Sequence, residues 1–147
     1  MDQPTPKLRV AAKAIIVNEK GQVLIVREAS TYSDGTNIGH FGVPGGRIEL
    51  GETYADGLRR EVIEEVGLEI KPLYPIFVDE WHPVIKGQPH QIIGIYTACQ
   101  ASTNKIRLSE EHDQFLWIDP KQRAKYDIME HDWQAIESYN NHPSIKQ

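Results

Sequence analysis

Three glutamates, Glu61, Glu64 and Glu65, crowd the end of the segment Tyr54–Val66, which reads YADGLRREVIEEV. Helical residues advance about 100° each, so on a helix all three share one face, with Gly57 in the same sector one turn earlier. Ala55, Leu58, Val62 and Val66 form a separate apolar stripe suited to packing on a sheet. An acidic helix face is ordinarily solvated charge, but here three local costs meet on it. Glu61 and Glu65 are like charges at i,i+4. Glu64 and Glu65 sit in the last turn, where the helix dipole disfavours negative charge. Glycine at position 57 costs about 1 kcal/mol against alanine. Two carboxylates about 6 Å apart repel by roughly 3 kcal/mol at an effective dielectric of 20, which a cation would relieve. The donors are hard oxygens without histidine or cysteine, which favours Mg2+, or else Mn2+, over zinc.

The helix that carries them is bounded by its own signals. Thr53 and Asp56 have a spacing related to a capping box, and Gly67 is the expected stop. Pro44-Gly45-Gly46 before it reads as a tight turn that brings bare backbone near a ligand. Upstream, Val10–Val17 and Val23–Val26 read as strands joined by Asn18-Glu19-Lys20-Gly21 into a hairpin. Residues 29–40 read as a loop, and Phe41-Gly42-Val43 as a short strand. Downstream, strands are expected over Leu73–Trp81 and Gln91–Ala101, joined by a turn containing Gly87. A loop at Ser109–Asp113 then leads into a strand at Phe115–Ile118. Asp119-Pro120 should open a short helix, and a last helix should span Glu130–Tyr139. No linker or repeat interrupts this order, so residues 1–147 read as one domain of mixed α and β structure.

Composition narrows the partners. Of 147 residues, 25% are charged and 39% hydrophobic, with a net charge of −5, as in a folded globular chain. The absence of a basic patch argues against long DNA or RNA as the main partner. The single cysteine, Cys99, can form no internal disulfide and no zinc spacing. The start, Met1-Asp2-Gln3-Pro4, lacks the basic and apolar parts of a signal peptide, and no apolar run approaches the roughly 18 residues of a membrane span. These features point to a cytoplasmic enzyme away from membranes.

The segment Gly46–Leu68, GRIELGETYADGLRREVIEEVGL, resembles the Nudix box, the signature of the Nudix hydrolases. Gly46, Glu52, Arg60, Glu61, Val62, Glu64, Glu65, Gly67 and Leu68 occupy all of its defining places. A chance match is on the order of one in a billion per starting point at average composition. The resemblance implies an α+β fold, an α/β/α sandwich around a mixed β-sheet. It also implies hydrolysis of a nucleoside diphosphate linked to another moiety, a small nucleotide-like substrate. By the same resemblance Glu61, Glu64 and Glu65 are the metal ligands, with the carbonyl of Gly46 (or Gly45) completing the sphere. Arg60 and Glu52 form a supporting salt bridge that orients the carboxylates. The metal would neutralise the diphosphate and lower the pKa of the attacking water.

The general base is a box glutamate or a residue from a later loop. Within Glu110-Glu111-His112-Asp113, the one acidic loop late in the chain, Glu111 is the candidate. His112 reads as structural or exposed. Trp81, Tyr96, Trp117 and Cys99 read as strand residues of the core. Pro83, sixteen residues after Gly67, is a feature associated with ADP-ribose hydrolases of the family and points toward a nucleotide sugar. The alternative substrate is a nucleoside triphosphate. Two other readings rank lower: a Nudix module that senses a nucleotide without cleaving it, which would be expected to lack box carboxylates, and an isomerase, which would need a cysteine at the site. A homodimer is left open.

Overall fold

A computed structural model describes residues 4–31, 37–123 and 125–142. Met1–Gln3 and residues 32–36 of the expected 29–40 loop lie outside the described residues. The elements in chain order are β1 (Lys7–Val17), β2 (Val23–Glu28), β3 (Phe41–Gly42), β4 (Gly45–Arg47), α1 (Tyr54–Val66), β5 (Ile70–Trp81), β6 (Val84–Ile85), β7 (Gln88–Ala101), β8 (His112–Ile118) and α2 (Glu130–Asn141). This is an α+β sandwich with one helix on each face of a mixed sheet.

The sheet runs β3-β2-β1-β7-β5, with β4 added to β1, β6 to β7 and β8 to β2. Strand β1 pairs in parallel with β7 from Lys7 opposite His90 to Val17 opposite Gln100. Both are rich in β-branched residues, and covered on both faces they can be apolar on both. Alternate residues of β1 therefore feed two cores. Ala12, Ala14 and Ile16 pack with Leu58, Val62 and Val66 of α1. Ile15 packs with Tyr96 and with Trp133, Ala135 and Ile136 of α2.

The β1–β2 hairpin exists only at its base. The two strands pair at Val17 and Val23 and then diverge, β1 toward β4 and β7, β2 toward β3 and β8. The segment β3–Pro44–β4 passes from one arm to the other, with the Ala14 N–H donating to the Pro44 carbonyl at 2.8 Å. The site lies between these arms.

Helix α1 forms within its expected bounds. Thr53 caps it by accepting from the Asp56 N–H at 3.1 Å, and Gly67 ends it at φ 71° with its N–H on the Ile63 carbonyl. Three expectations need correction. Gly45 and Gly46 belong to a strand rather than a turn, because β4 lies against β1 at a distance that only glycine permits: a Cβ on Gly45 would collide with the Ala12 carbonyl. Strands β5 and β7 begin earlier than their apolar runs suggest, at Ile70 and Gln88. Asp119-Pro120 opens a turn, and no helix follows it directly among the described residues. The Asp119 side chain accepts from the Lys121 N–H at 2.9 Å and its carbonyl from the Gln122 N–H at 3.0 Å, and the polar residues that follow offer no apolar stripe to extend a helix.

Candidate active site

A cleft of about 1230 Å3 opens where β1 and β2 separate, and Glu61, Glu65, Gly45, Gly46, Glu52 and Glu111 all line it. Glycine builds one wall. The Glu61 carboxylate fills the space a Cβ of Gly46 would need. The Gly45 N–H donates to Glu65 Oε2 at 2.9 Å. Gly57 has a reason of the same kind: a Cβ there would meet Glu52 Oε1 at 2.9 Å. The glycine on the acidic face of α1 thus makes room for a carboxylate from the preceding loop.

Arg60 ties the acids together. Its Nε and Nη2 grip the two oxygens of Glu52 at 3.0 and 2.7 Å. Nη1 reaches Glu61 Oε1 at 3.1 Å and Glu64 Oε2 at 3.2 Å, and Nη2 donates to the Arg47 carbonyl at 3.1 Å. The fork that holds Glu52 is the bidentate geometry in which arginine differs from lysine. Arg60 holds Glu52 well below the usual carboxylate range, at about 2, helped by the Glu49 N–H.

The three box glutamates are not equivalent. Glu65 is buried, 8% exposed, and burial pushes its carboxyl up to about 8 against the opposing pull of Lys13 and of the Gly45 N–H. Burial also raises Glu61 despite Arg60, and Glu64 and Glu111 add repulsion. Glu64 is turned outward, its side chain 58% exposed, and is absent from the cleft lining. Among the described residues no three acidic, histidine or cysteine side chains are gathered ready-made around one point. The donor set nevertheless fits a hard divalent cation. Glu111 raises the proton affinity of both Glu61 and Glu65, Glu61 raises that of Glu65 further, and among the described residues no cationic side chain forms a hydrogen bond with Glu65.

Glu111 comes to the cleft from the loop before β8. Its carbonyl accepts from the Ala29 N–H at 2.8 Å, which anchors that loop to the end of β2, and its carboxylate lies close enough to repel both Glu61 and Glu65. Beside it His112, expected to be structural or exposed, lines the cleft. Its Nδ1 is buried with no hydrogen-bond partner, and burial lowers its pKa to about 4, so it is neutral at pH 7.

Two cleft residues lie outside the motif and were not expected at the site. Lys13 comes from the middle of an apolar strand, and Asp132 from the first turn of α2. Asp132 accepts from the Tyr96 hydroxyl and from the Val43 N–H at 2.9 Å, and Lys13 Nζ lies 3.9 Å from its Oδ2. An inward-facing lysine at strand period among Ala12, Ala14 and Ile15 was the available clue.

Other candidates fall away from the cleft. Pro83 sits in the β5–β6 connection, where its carbonyl accepts from the His90 N–H at 2.9 Å, and it does not line the cleft. Cys99 is fully buried in the α1-side core, donates to the Thr97 carbonyl, and burial pushes its thiol up to about 12. It is therefore no candidate for proton transfer at the site. Tyr96 is fully buried, and Trp81 and Trp117 pack against the cores.

Comparison with known proteins agrees with this geometry. The family model described as NUDIX domain matches residues 7–139. A MutT-like protein of Streptomyces ambofaciens is 32% identical over 125 residues, 82% of this chain and 73% of the relative. A nucleoside triphosphatase, NudI, of Escherichia fergusonii is 30% identical over 120 residues, 77% of this chain and 84% of the relative. The crystal structure of a MutT protein from Methanosarcina mazei Go1 superposes with a TM-score of 0.79 at 23% identity, covering 92% of this chain and 94% of that one.

Proposed function

The chain belongs to the Nudix hydrolase family, and from that premise we propose that it hydrolyses a phosphoanhydride bond of a nucleoside triphosphate with the help of Mg2+. The observation that carries this reading is the convergence of Glu61, Glu65 and Glu111 on one cleft, with Arg60 clamped on Glu52 behind them. Glu61 and Glu65 would hold the ion with the Gly46 carbonyl, and Glu64 would join them by leaving Arg60. When bound, the ion supplies charge neutralisation and an acidified water.

The chain's own groups do the rest. Glu111 takes a proton from the attacking water as its oxygen bonds to phosphorus, and the bridging oxygen leaves with the electron pair of the broken P–O bond. Arg60 orients Glu61 and keeps Glu52 ionised. The glycine wall lets the Glu61 carboxylate and strand β1 lie directly against the β4 backbone. Relatives matched over most of their length carry triphosphatase and MutT-like names, which supports a triphosphate. A nucleotide sugar such as ADP-ribose is the alternative substrate, with Pro83 in the β5–β6 connection and not among the residues lining the cleft. A purely sensing module is disfavoured because every box carboxylate is retained.

The test is a screen with Mg2+ of the dNTPs, 8-oxo-dGTP, nucleoside diphosphates and ADP-ribose, reading phosphate released after phosphatase treatment. A triphosphate should exceed ADP-ribose in kcat/KM by more than about tenfold, roughly 1.4 kcal/mol of transition-state binding. The opposite order, or full activity in excess EDTA, overturns the reading. Glu111→Gln should flatten the alkaline rise of the rate, and an unchanged profile moves the base to a box glutamate.

A further inference from the structure

We propose that Lys13 binds the phosphate chain of the substrate through its ammonium group, on the wall of the cleft beside Glu65. This rests on the phosphate-substrate reading above and adds to it a specific residue outside the glutamate helix. Lys13 carries three N–H donors on a side chain that is only 15% exposed. None of them is hydrogen-bonded to a described residue. Its nearest anion, Asp132 Oδ2, is 3.9 Å away, beyond hydrogen-bond range. Asp132 is already engaged, because its oxygens accept from the Tyr96 hydroxyl and the Val43 N–H. A lysine largely withdrawn from water with its donors unmade is costly unless a ligand completes it.

Position on the sheet points to the same ligand. Lys13 lies between Gly45 of β4 and Tyr96 of β7 in the strand registers. The two backbones pack closely there, since a Cβ on Gly45 would come within 2.7 Å of the Lys13 Cα, so the side chain starts hard against the glycine strand. The Gly45 N–H points to Glu65, so the ammonium and the buried carboxylate flank the same piece of glycine backbone. The charge of Lys13 is felt at both Glu65 and His112. Most other ionisable side chains lining the cleft are acidic, Glu28, Glu61, Glu65, Glu111 and Asp132 among them. Of the other cations there, Arg9 is turned onto the Leu8 carbonyl at 2.9 Å and Arg47 is exposed. A polyphosphate entering the cleft meets one compact, largely buried positive charge, and an ammonium is a suitable point charge for a phosphate oxygen.

The experiment uses the full chain and three variants: Lys13→Met, Lys13→Arg, and Lys13→Met combined with Asp132→Asn. The double variant removes the buried charge, so that loss of neutralisation and loss of phosphate binding are separated. Its amide can still accept from the Val43 N–H and donate to the Tyr96 oxygen. Readouts are melting temperature, the dissociation constant for inorganic tripolyphosphate, and kcat and KM for the triphosphate turned over fastest. Lys13→Met should weaken tripolyphosphate at least tenfold and raise KM similarly, with kcat within about threefold. Lys13→Arg should recover most of the loss. The double variant should regain melting temperature without regaining affinity. The proposal is overturned if tripolyphosphate binds Lys13→Met within twofold of wild type, if it does not bind wild type, or if the double variant recovers affinity along with stability. Wild type that hydrolyses no nucleotide, yet binds tripolyphosphate through Lys13, would overturn the enzymatic reading and leave this one standing.

Discussion

Glu65 on α1 and Asp132 on α2 are both buried carboxylates, 8% and 1% exposed, and both line the same cleft. Their surroundings differ. Asp132 accepts from the Tyr96 hydroxyl and the Val43 N–H, with Lys13 close by, so it joins α2 to β7 and to the residue after β3. Glu65 accepts one backbone N–H and faces other carboxylates, and burial holds its carboxyl up at about 8. A buried acid with its lone pairs satisfied serves the fold. A buried acid left short of donors and crowded by like charge is held ready for a cation. Burial alone would not separate the two roles, but the count of donors does.

The sharpest way to break the comparison is to exchange the consequences. Asp132→Ala leaves the Tyr96 hydroxyl and the Val43 N–H without their shared acceptor and Lys13 without its neighbouring counter-charge. It should destabilise the protein by about 3–5 kcal/mol, read by thermal or urea denaturation. A loss under about 1 kcal/mol would mean that Asp132 does not hold α2 in place. Glu65→Gln should do the reverse. Turnover should fall by roughly 100-fold or more, while the metal-free protein melts no lower than wild type, since Gln keeps an acceptor for the Gly45 N–H. A large drop in melting temperature with activity retained would reverse the two assignments.

Arg60→Ala sharpens the comparison within α1. Freed from the guanidinium, Glu52 should titrate nearer the ordinary carboxylate range. Mn2+ affinity, measured by calorimetric titration, should weaken by about 10–100-fold. Unchanged affinity would make the Arg60–Glu52 clamp a surface contact. The last test is the pH dependence of stability. The carboxyl of Glu65 is raised from 4.5 unfolded to about 8 folded. Its contribution to stability is therefore complete below pH 4.5 and is lost as pH rises toward 8. Metal-free wild type should lose melting temperature over that window relative to Glu65→Gln, and Mg2+ should restore more of it at pH 8 than at pH 6. Parallel curves for the two proteins would remove the burial argument.

Helix α1 was legible because its signals are local. Thr53, Gly67 and the stripe Leu58, Val62 and Val66 define its ends and buried face without help from the rest of the chain. The glutamate constellation was legible for the same reason. Strand β4 was hidden, because glycine has little strand preference and Gly45-Gly46 becomes a strand only through close contact with β1. The turn after Asp119 is not distinguishable from a helix start in the sequence, because Asp-Pro starts turns as readily as helices. Lys13 and Asp132 are not legible in the sequence, because their meaning depends on each other and on Tyr96, which are distant along the chain. Gly57 was noticed as a local cost, but its reason, the Glu52 carboxylate, lies in the preceding loop.

The parallel pairing of β1 with β7 sets the order in which the molecule can assemble. A hairpin closes through a few residues, but this ladder joins Lys7–Val17 to His90–Gln100, so a long stretch of chain must be looped out first. Such non-local pairing places a fold toward the slower, millisecond-to-second end of single-domain folding. Lys13 reaches its place against Tyr96 only when that ladder closes. On a ribosome the glutamate helix would emerge well before β7, as an acidic segment without its sheet. The cleft is thus among the last features to form, and a nascent chain halted before β7 would carry the complete signature motif without a site.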